Sequence, residues 1–416
     1  MEEYAVISLV ALVVAIILGF WTKINIGVIA VTFAFIVGHF IVGKEPSSIY
    51  LTGWPMSLFF MLTGMTLLFG VARLNGTFSA LAKQMSYFSF GSRRMMCLII
   101  YLFSAILSMV GVGTIVTPAI LCPLVIEIAR VEDIPEPLVI LLCIAGGIAG
   151  GMSPIAPTGI IGINLSTPIG LKSYTPIFIM CILTFSIQAL VFFLVFGGWK
   201  LSKTQPKHQQ RPPLELDRKQ ITTVVVTGIV VFCVLVLKYD LGLTSFTGAA
   251  VLLLLRAEDQ KKVVASVAWG TILMICGVSM LVKVITDVGG IDLISDYLAK
   301  IMSPYTAPAI MDLMAGTLSS VSSSSGVVMP TFIPAIPGLL SKFGDAVSIE
   351  EMVAAVIIGA HSVAYSPLST LGGIGIAMAS DRVNKQKFFT ALLFCGIGMV
   401  ILTAALFLFR IYNFML

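Results

Sequence analysis

Long apolar runs separated by short polar segments make up most of this 416-residue chain. Because about 20 apolar residues in a helix cross the hydrocarbon core of a bilayer, these runs predict membrane-spanning helices. Five spans in each half is an odd number, so the two halves should run in opposite directions through the membrane. The predicted spans are 4–21, 26–43, 56–72, an interrupted helix over 137–170 and 174–199 in the first half, then 221–238, 246–255, 268–286, an interrupted helix over 349–380 and 387–411 in the second.

Two further apolar segments are predicted to enter and leave the membrane on the same side. The first covers 95–130 and breaks at Val110-Gly-Val-Gly-Thr114, and the second covers 305–342 and breaks within 319–326. The second arm of each segment contains prolines, which interrupt helical hydrogen bonding. This pattern is typical of a re-entrant hairpin, whose irregular tip is tolerated in the membrane only where protein or a cavity surrounds it.

The chain contains an internal repeat. The segment 153–163, Ser-Pro-Ile-Ala-Pro-Thr-Gly-Ile-Ile-Gly-Ile, recurs 213 residues later as Ser-Pro-Leu-Ser-Thr-Leu-Gly-Gly-Ile-Gly-Ile, identical at six of eleven positions. These matches predict a first inverted repeat (1–199), a cytoplasmic linker (200–219) and a second inverted repeat (220–416). Interrupted helices at matching places in two such repeats indicate the binding site of a secondary transporter.

Composition agrees with this architecture and indicates an all-α polytopic membrane protein. Hydrophobic residues make up 58% of the chain, charged residues make up 11%, and the mean hydropathy is +1.05. With both termini outside, most of the 25 Lys and Arg residues fall in inside loops, as the positive-inside rule predicts for a multi-pass protein of the plasma membrane. The scattered basic residues do not indicate nucleic acid binding. The spacing of the seven cysteines indicates neither a disulfide nor a metal site.

Two inverted repeats, each with a re-entrant hairpin and a broken helix, resemble the ion transporter superfamily, which includes the divalent-anion sodium symporters. Within it, the segments 24–27 (Ile-Asn-Ile-Gly), 67–76 (Leu-Leu-Phe-Gly-Val-Ala-Arg-Leu-Asn-Gly) and 323–330 (Ser-Ser-Ser-Gly-Val-Val-Met-Pro) are similar to the malonate or dicarboxylate carrier branch. The resemblance implies a mobile transport domain made of the hairpins and broken helices. It also implies a dimerising scaffold made of the first two spans of each half, and an elevator-like motion.

The hairpin tips depart from the pattern of that family. The symporters carry Ser-Asn-Thr at each tip, whereas these tips read Gly-Val-Gly-Thr at 111–114 and Ser-Ser-Ser-Ser-Gly at 322–326. The missing asparagines leave the ion stoichiometry and the substrate contacts open.

The chemistry expected of the tips and breaks follows from helix ends. A helix N-terminus carries free N–H groups and about half a positive charge, which suits a carboxylate, while hydroxyls and unwound carbonyls suit a sodium ion. The breaks contain no Lys or Arg, so dipoles and co-bound cations should balance the charge of an anion, since an unpaired buried charge is costly. The predicted substrate-binding residues are Gly113, Thr114, Pro154, Thr158, Ser324, Ser325, Gly326, His361, Ser369 and Thr370. The predicted sodium ligands are Thr114, Ser153, Ser325 and Ser366, and no other cofactor is expected.

Several ionisable residues have alternative roles. His361 either binds the anion or relays a proton, or it packs as a hydrogen-bonded residue. Asp312 is either a proton-coupling carboxylate or a solvated residue near the outer membrane face. Lys283 and Asp287, four residues apart, are expected to form a structural pair, and His39 is expected to belong to the scaffold.

These features predict a sodium-coupled secondary transporter of small carboxylates, di- or tricarboxylates such as malonate or succinate, that works as a homodimer in the lipid bilayer. A proton-coupled carrier, an exchange carrier for another anion and an anion channel are the alternatives. An enzyme is not expected, because the chain has no Gly-x-Ser-x-Gly or His-Glu-x-x-His motif. The serine run at 319–326 also has a packing interpretation, since small residues let membrane helices approach closely.

Overall fold

The computed structural model describes residues 2–82, 92–201, 216–320, 322–380 and 382–412, and within these ranges the chain is helical with no β-strand. Seven helices of the described part are long and apolar enough to cross a membrane. The predicted all-α, multi-pass fold is therefore confirmed. The predicted linker lies mostly outside the described residues, which omit 202–215. The seven helices are Met56–Leu74, Arg93–Val112, Thr175–Val195, Trp269–Asp287, Ser324–Phe343, Ile349–Met378 and Lys385–Leu408.

The described residues of the first half contain ten α-helices, and π-helical turns at Ile36–Ile41 and Ser108–Val112 continue the second and the sixth. The helices are α1 (Glu2–Thr22), α2 (Ile26–Phe35), α3 (Pro46–Gly53), α4 (Met56–Leu74), α5 (Thr77–Ala82), α6 (Arg93–Leu107), α7 (Val116–Glu132), α8 (Glu136–Gly151), α9 (Pro157–Ser166) and α10 (Thr175–Val195).

The second half follows the same order, with a π-helical turn at Ser324–Val328 between the sixth and seventh helices described there. The helices are α11 (Arg218–Leu235), α12 (Leu241–Leu254), α13 (Gln260–Ala265), α14 (Trp269–Asp287), α15 (Gly290–Ile301), α16 (Ala307–Ser319), α17 (Met329–Phe332), α18 (Ile336–Phe343), α19 (Ile349–Ser362), α20 (Thr370–Met378) and α21 (Lys385–Leu408).

Polar residues in the loops fix where several helices begin. Asn25 accepts a hydrogen bond from the Gly27 N–H at 2.8 Å, and Asp240 accepts one from the Leu243 N–H at 2.8 Å. Such side chains satisfy N–H groups that have no partner inside the first turn of a helix. The predicted start of a span at 246 is wrong for this reason, because the Asp240 cap begins α12 at Leu241.

The two halves pack against each other through two helix pairs, each of which joins one helix from each half. Helix α2 of the first half lies against α14, and α4 lies against α12. At the first contact Gly27 and Gly277 meet so closely that neither leaves room for a Cβ atom, and at the second Gly64 lies against the Gly242 carbonyl. Small residues allow this close approach of helix backbones in a membrane. The same pairing is thus made twice, while the inverted orientation of the halves stays a prediction.

Buried apolar residues form three clusters. The largest joins both predicted hairpins, both broken helices, α10 and α21, together with parts of α4 and α14. A second joins α1, α2, α14 and part of the second hairpin, and a third joins α4, α11 and α12. Helices α8 and α19 are buried along nearly their whole length, with α6 and α7 packed against α8 and α16 packed against α19. The breaks that follow these two helices therefore lie inside the bundle.

The predicted pair of Lys283 and Asp287 is confirmed, with 2.5 Å between Lys283 Nζ and Asp287 Oδ1. Lys44 from the first half also bonds Asp287. His39 stacks on Phe35, with ring centroids 5.5 Å apart, and its Nδ1 lies 2.9 Å from the Lys44 carbonyl oxygen. These contacts fit the expected scaffold role of His39.

Candidate functional site

The tip of the first hairpin is shaped by two glycines. Gly111 has φ 116° and Gly113 has φ 91°, a backbone conformation that L side chains rarely adopt. A Cβ at Gly111 would overlap the ring of Phe69 in α4, and one at Gly113 would lie 3.4 Å from Pro157 Cγ at the start of α9. The first tip therefore fits between α4 and the first broken helix.

The first tip also contacts the end of α8. The Ser108 hydroxyl donates to the Gly147 carbonyl at 2.6 Å. Thr114 is buried, and its methyl group lies where a Cβ at Gly151 would be. A gap of about 10 Å³ beside this tip is lined by residues that include Phe69 and Val110. It is far too small for an organic anion. The close approach of Gly111 to the Phe69 ring places the tip directly against α4.

The first break runs from the end of α8 to Pro157. Ser153 is 3% exposed, and its hydroxyl oxygen accepts from the Ile155 N–H at 3.4 Å. Thr158 in the first turn of α9 is also buried, whereas Pro154 is exposed. The predicted residues of this break thus include two buried hydroxyl groups beside a helix N-terminus.

The tip of the second hairpin is tied to α19 by serine side chains. The Ser324 hydroxyl donates to the Ala360 carbonyl at 2.8 Å, one of the carbonyls that the end of α19 leaves free. Ser323 accepts from the N–H of the buried Gly326 at 3.0 Å. Ser325 Oγ lies 3.3 Å from His361 Nε2. The structure therefore brings three predicted substrate residues together: Ser324, Ser325 and His361.

His361 is oriented by its other ring nitrogen. Its Nδ1 lies 2.8 Å from the Ile357 carbonyl oxygen, which can only accept, so Nδ1 carries a hydrogen. The nitrogen that faces Ser325 is then Nε2. The ring is 4% exposed. His361 thus has the packed, hydrogen-bonded position expected of one alternative, and it presents one nitrogen to the hairpin tip.

The second break runs from Ser362 to Thr370. Ser366 is 3% exposed, and its Oγ accepts from the Leu368 N–H at 3.3 Å. Ser369 caps α20 by accepting from the Gly372 N–H at 3.3 Å. Thr370, the first residue of α20, is exposed. This break therefore presents a capped helix N-terminus next to a buried serine.

The predicted residues fall into two groups, one in each half. Thr114 contacts the end of α8, whereas Ser325 contacts α19. The halves still interlock, because α9 packs against α17 of the second hairpin and α20 packs against α7 of the first. Each broken helix therefore touches the hairpin of the other half.

Asp312 lies in the first arm of the second hairpin and is fully buried. Its Oδ2 accepts from the Thr403 hydroxyl of α21 at 2.9 Å, and its Oδ1 has no hydrogen-bond partner within the described residues. The interpretation of Asp312 as a solvated residue is therefore wrong. The reason is packing, since α16 lies between α19 and α21.

A polar network beside the second break was not predicted. Gln188 of α10 is fully buried, its Nε2 donates to Ser362 Oγ at 2.8 Å, and its Oε1 accepts from the Tyr365 hydroxyl at 2.9 Å. A lone glutamine within an apolar run was the signal in the sequence. Polar residues inside membrane helices are rare and tend to be functional.

A second polar site, also not predicted, lies at the start of α8. Glu136 is buried, and its carboxylate accepts from the Ser380 hydroxyl at 2.7 Å and from the Ser380 N–H at 3.1 Å. It lines a cavity of about 350 Å³ together with Arg130, Asp133 and Arg382. The two cations and two carboxylates of this lining balance each other, so the cavity has no net charge to select an anion. Glu136 itself connects α8 to Ser380, just after the end of α20.

The helical fold with its apolar spans defines a multi-pass membrane protein, and the paired breaks are typical of a secondary transporter. The sequence matches the family model described as citrate transporter over residues 3–359, so the chain belongs to the citrate transporter family. This is a family of transporters rather than enzymes, within the ion transporter group that the sequence resembles. No finding supports the malonate carrier branch. A search of curated proteins found no match. The matched range ends inside α19, before His361 and the second break.

Proposed function

We propose that this protein is a secondary active transporter that carries citrate, or a similar di- or tricarboxylate, across the plasma membrane together with cations. The observation that carries the proposal is the pairing of each hairpin tip with a helix break. These segments offer hydroxyl and backbone N–H groups, and their sequence contains no Lys or Arg. Membership of the citrate transporter family supports a carboxylate as the substrate.

The proposed anion site is the second tip and break. Ser325 and His361 offer polar atoms 3.3 Å apart, and the N-terminus of α20 begins at Thr370 next to its Ser369 cap. N–H groups and the helix dipole at such an end favour a carboxylate. A tricarboxylate needs several such donors, which supports the use of hydroxyls from both the tip and the break.

The proposed coupling ion is sodium, held by neutral oxygens. The last carbonyls of α8 and α19 point out of helix C-termini, where the dipole favours a cation. The predicted ligands Ser153 and Ser366 are buried directly after these ends, and Thr114 and Ser325 come from the tips. Bound sodium would then offset the charge of the anion, because an unpaired charge in the membrane interior is costly.

A proton is the second candidate for the coupling ion. The observation that favours it is Asp312, a buried carboxyl with one oxygen unmatched within the described residues. A protonated carboxyl at this place would be neutral and would not need a partner cation.

The proposed motion is of elevator type in a homodimer with both termini outside. The apolar clusters support it, because α10, α21, both broken helices and most of both hairpins share one cluster. The first two helices of each half belong to the other two clusters. Helices α4 and α14 contribute to the large cluster and also to a smaller one, so the proposed movement would take place along these two helices.

The experiment is uptake of radiolabelled citrate, malonate and succinate by purified protein in vesicles, driven in separate arms by a sodium gradient and by a pH gradient. We expect citrate uptake that follows the sodium gradient at fixed pH and saturates. Uptake that does not saturate and needs neither gradient would indicate a channel and contradict the proposal.

A further inference from the structure

The network around Gln188 connects the two halves at the second break. Gln188 belongs to α10, the last helix of the first half, whereas Ser362 and Tyr365 flank the end of α19 in the second half. All three side chains are buried, and the ring of Tyr365 packs edge-on against Phe192 with centroids 4.7 Å apart. A single amide therefore bridges the last helical residue of α19 and the residue just before Ser366.

The hydrogen bonds of this network run in one direction. The Tyr365 hydroxyl donates to Gln188 Oε1, the Gln188 amide donates to Ser362 Oγ, and the Ser362 hydroxyl donates to the Ile358 carbonyl at 2.8 Å. The amide uses one donor and one acceptor here, and neither could be exchanged without leaving a buried group unmet. The glutamine thus fixes where the 3₁₀ turn Val363–Tyr365 leaves the helix.

The first half has no equivalent of this network. Residues placed 213 positions before Ser362 and Tyr365 are Ala149 and Met152, both apolar and buried. The residue placed 213 positions after Gln188 is Ile401, which is exposed on α21. The network around Gln188 is therefore a property of the second break and is not part of the repeated fold.

We propose that Gln188 is a positioning residue for the substrate site, which sets the separation between His361 at the end of α19 and Ser369 at the start of α20. This inference rests on the proposed function, because it assigns the second break to carboxylate binding. The side chain acts through Ser362 and Tyr365 and does not touch the substrate itself.

The test compares Gln188→Leu with Ser186→Ala in the same uptake assay. Leucine is similar in size to glutamine but removes both hydrogen bonds of the side-chain amide. Ser186 lies on the same helix, and its hydroxyl lies 2.7 Å from that of Tyr101 and is not part of the hydrogen bonds between Gln188, Ser362 and Tyr365, which makes it the matched control. We expect the KM for citrate to rise about tenfold in Gln188→Leu, the effect of unmet buried hydrogen bonds, and to stay unchanged in Ser186→Ala.

Two further measurements separate positioning from general stability. Tyr365→Phe removes one hydroxyl and should raise KM in the same direction, and the double variant with Gln188→Leu should add little, because the two residues act as one unit. The selectivity for citrate over succinate should also fall. If Gln188→Leu does not fold, the KM of Tyr365→Phe tests the proposal on its own.

A wild-type KM in both folded variants would overturn the inference, as would a loss of protein amount without any change in KM or selectivity. Absence of carboxylate uptake by the wild-type protein would instead contradict the proposed function itself.

Discussion

The two hairpin tips occupy corresponding places in the two halves but are built from different chemistry. The first tip is formed by Gly111 and Gly113, and its contacts are a phenylalanine ring, a proline and the backbone of α8. The second tip is formed by serines that bond α19 and reach His361. The comparison teaches that the two tips have the same order of elements but different contacts, which are mostly apolar or to backbone at the first tip and made by serine hydroxyls at the second.

This difference assigns separate tasks to the two tips. A tip that closes by shape is sensitive to volume and backbone angle, whereas a tip that binds by hydroxyls is sensitive to the loss of single polar atoms. The assignment would be wrong if the first tip tolerated a change of volume, or if the second tip tolerated the loss of its hydroxyl groups.

The largest effect is expected at the first tip, for Gly111→Ala. An alanine does not readily adopt φ 116°, and its Cβ would overlap the Phe69 ring, so we expect uptake to fall at least about tenfold. Gly43→Ala is the control, because Gly43 has φ 80° but nothing within 4 Å of a Cβ. Uptake per folded molecule should be measured in vesicles. Normal uptake by Gly111→Ala would show that the first tip is not closed by shape.

The next effect is expected at the second tip and break, for Ser325→Ala and Thr370→Ala. Each should weaken citrate binding by about 1–3 kcal/mol, because a hydrogen bond to a charged carboxylate is lost, as measured by titration calorimetry of the purified protein. Thr114→Ser at the first tip keeps the hydroxyl and should bind citrate like the wild type. Unchanged affinity in both second-half variants would instead favour the packing interpretation of the serine run.

A smaller effect is expected from Ser153→Ala and Ser366→Ala, which remove one proposed sodium ligand from each break. The sodium concentration for half-maximal uptake should rise about fivefold, corresponding to about 1 kcal/mol, while citrate affinity at saturating sodium stays the same. Thr167→Ala is the control, since that hydroxyl bonds the Ile163 carbonyl of its own helix at 2.8 Å. A sodium response that is equal in all three variants would remove both serines from the ion sites.

The smallest effect is expected from Asp312→Asn. Asparagine keeps the shape of the side chain and an acceptor for Thr403, so sodium-driven uptake should stay close to that of the wild type. The measurement is uptake at fixed pH with varied external sodium. Uptake driven by a pH gradient without sodium, and abolished by Asp312→Asn or His361→Gln, would reassign the coupling to protons.

Features that depend on local sequence were predicted well. Apolar runs predicted most of the helices, and the Ser-Pro pairs at 153–154 and 366–367 predicted that the helices 137–170 and 349–380 are interrupted, because both effects act within a few residues. The pair of Lys283 and Asp287 was found for the same reason, since a spacing of four places both side chains on one helix face.

Features that depend on packing between distant segments were missed. Gln188 meets Tyr365 across 177 positions, and Glu136 meets Ser380 across 244. Neither pairing leaves a periodic pattern in the chain. The interpretation of Asp312 as a solvated residue was wrong because its burial depends on α21 covering α16, which the hairpin sequence alone does not reveal.

The exchange of helix partners between the halves has a consequence for biosynthesis. Helix α2 reaches its partner α14, and α4 its partner α12, only after more than half of the chain has been made. Until then the glycine faces at Gly27 and Gly64 lack the helices that cover them in the complete chain. The first half alone therefore leaves these two helix faces unpaired, and its packing is completed only when α12 and α14 of the second half dock against them.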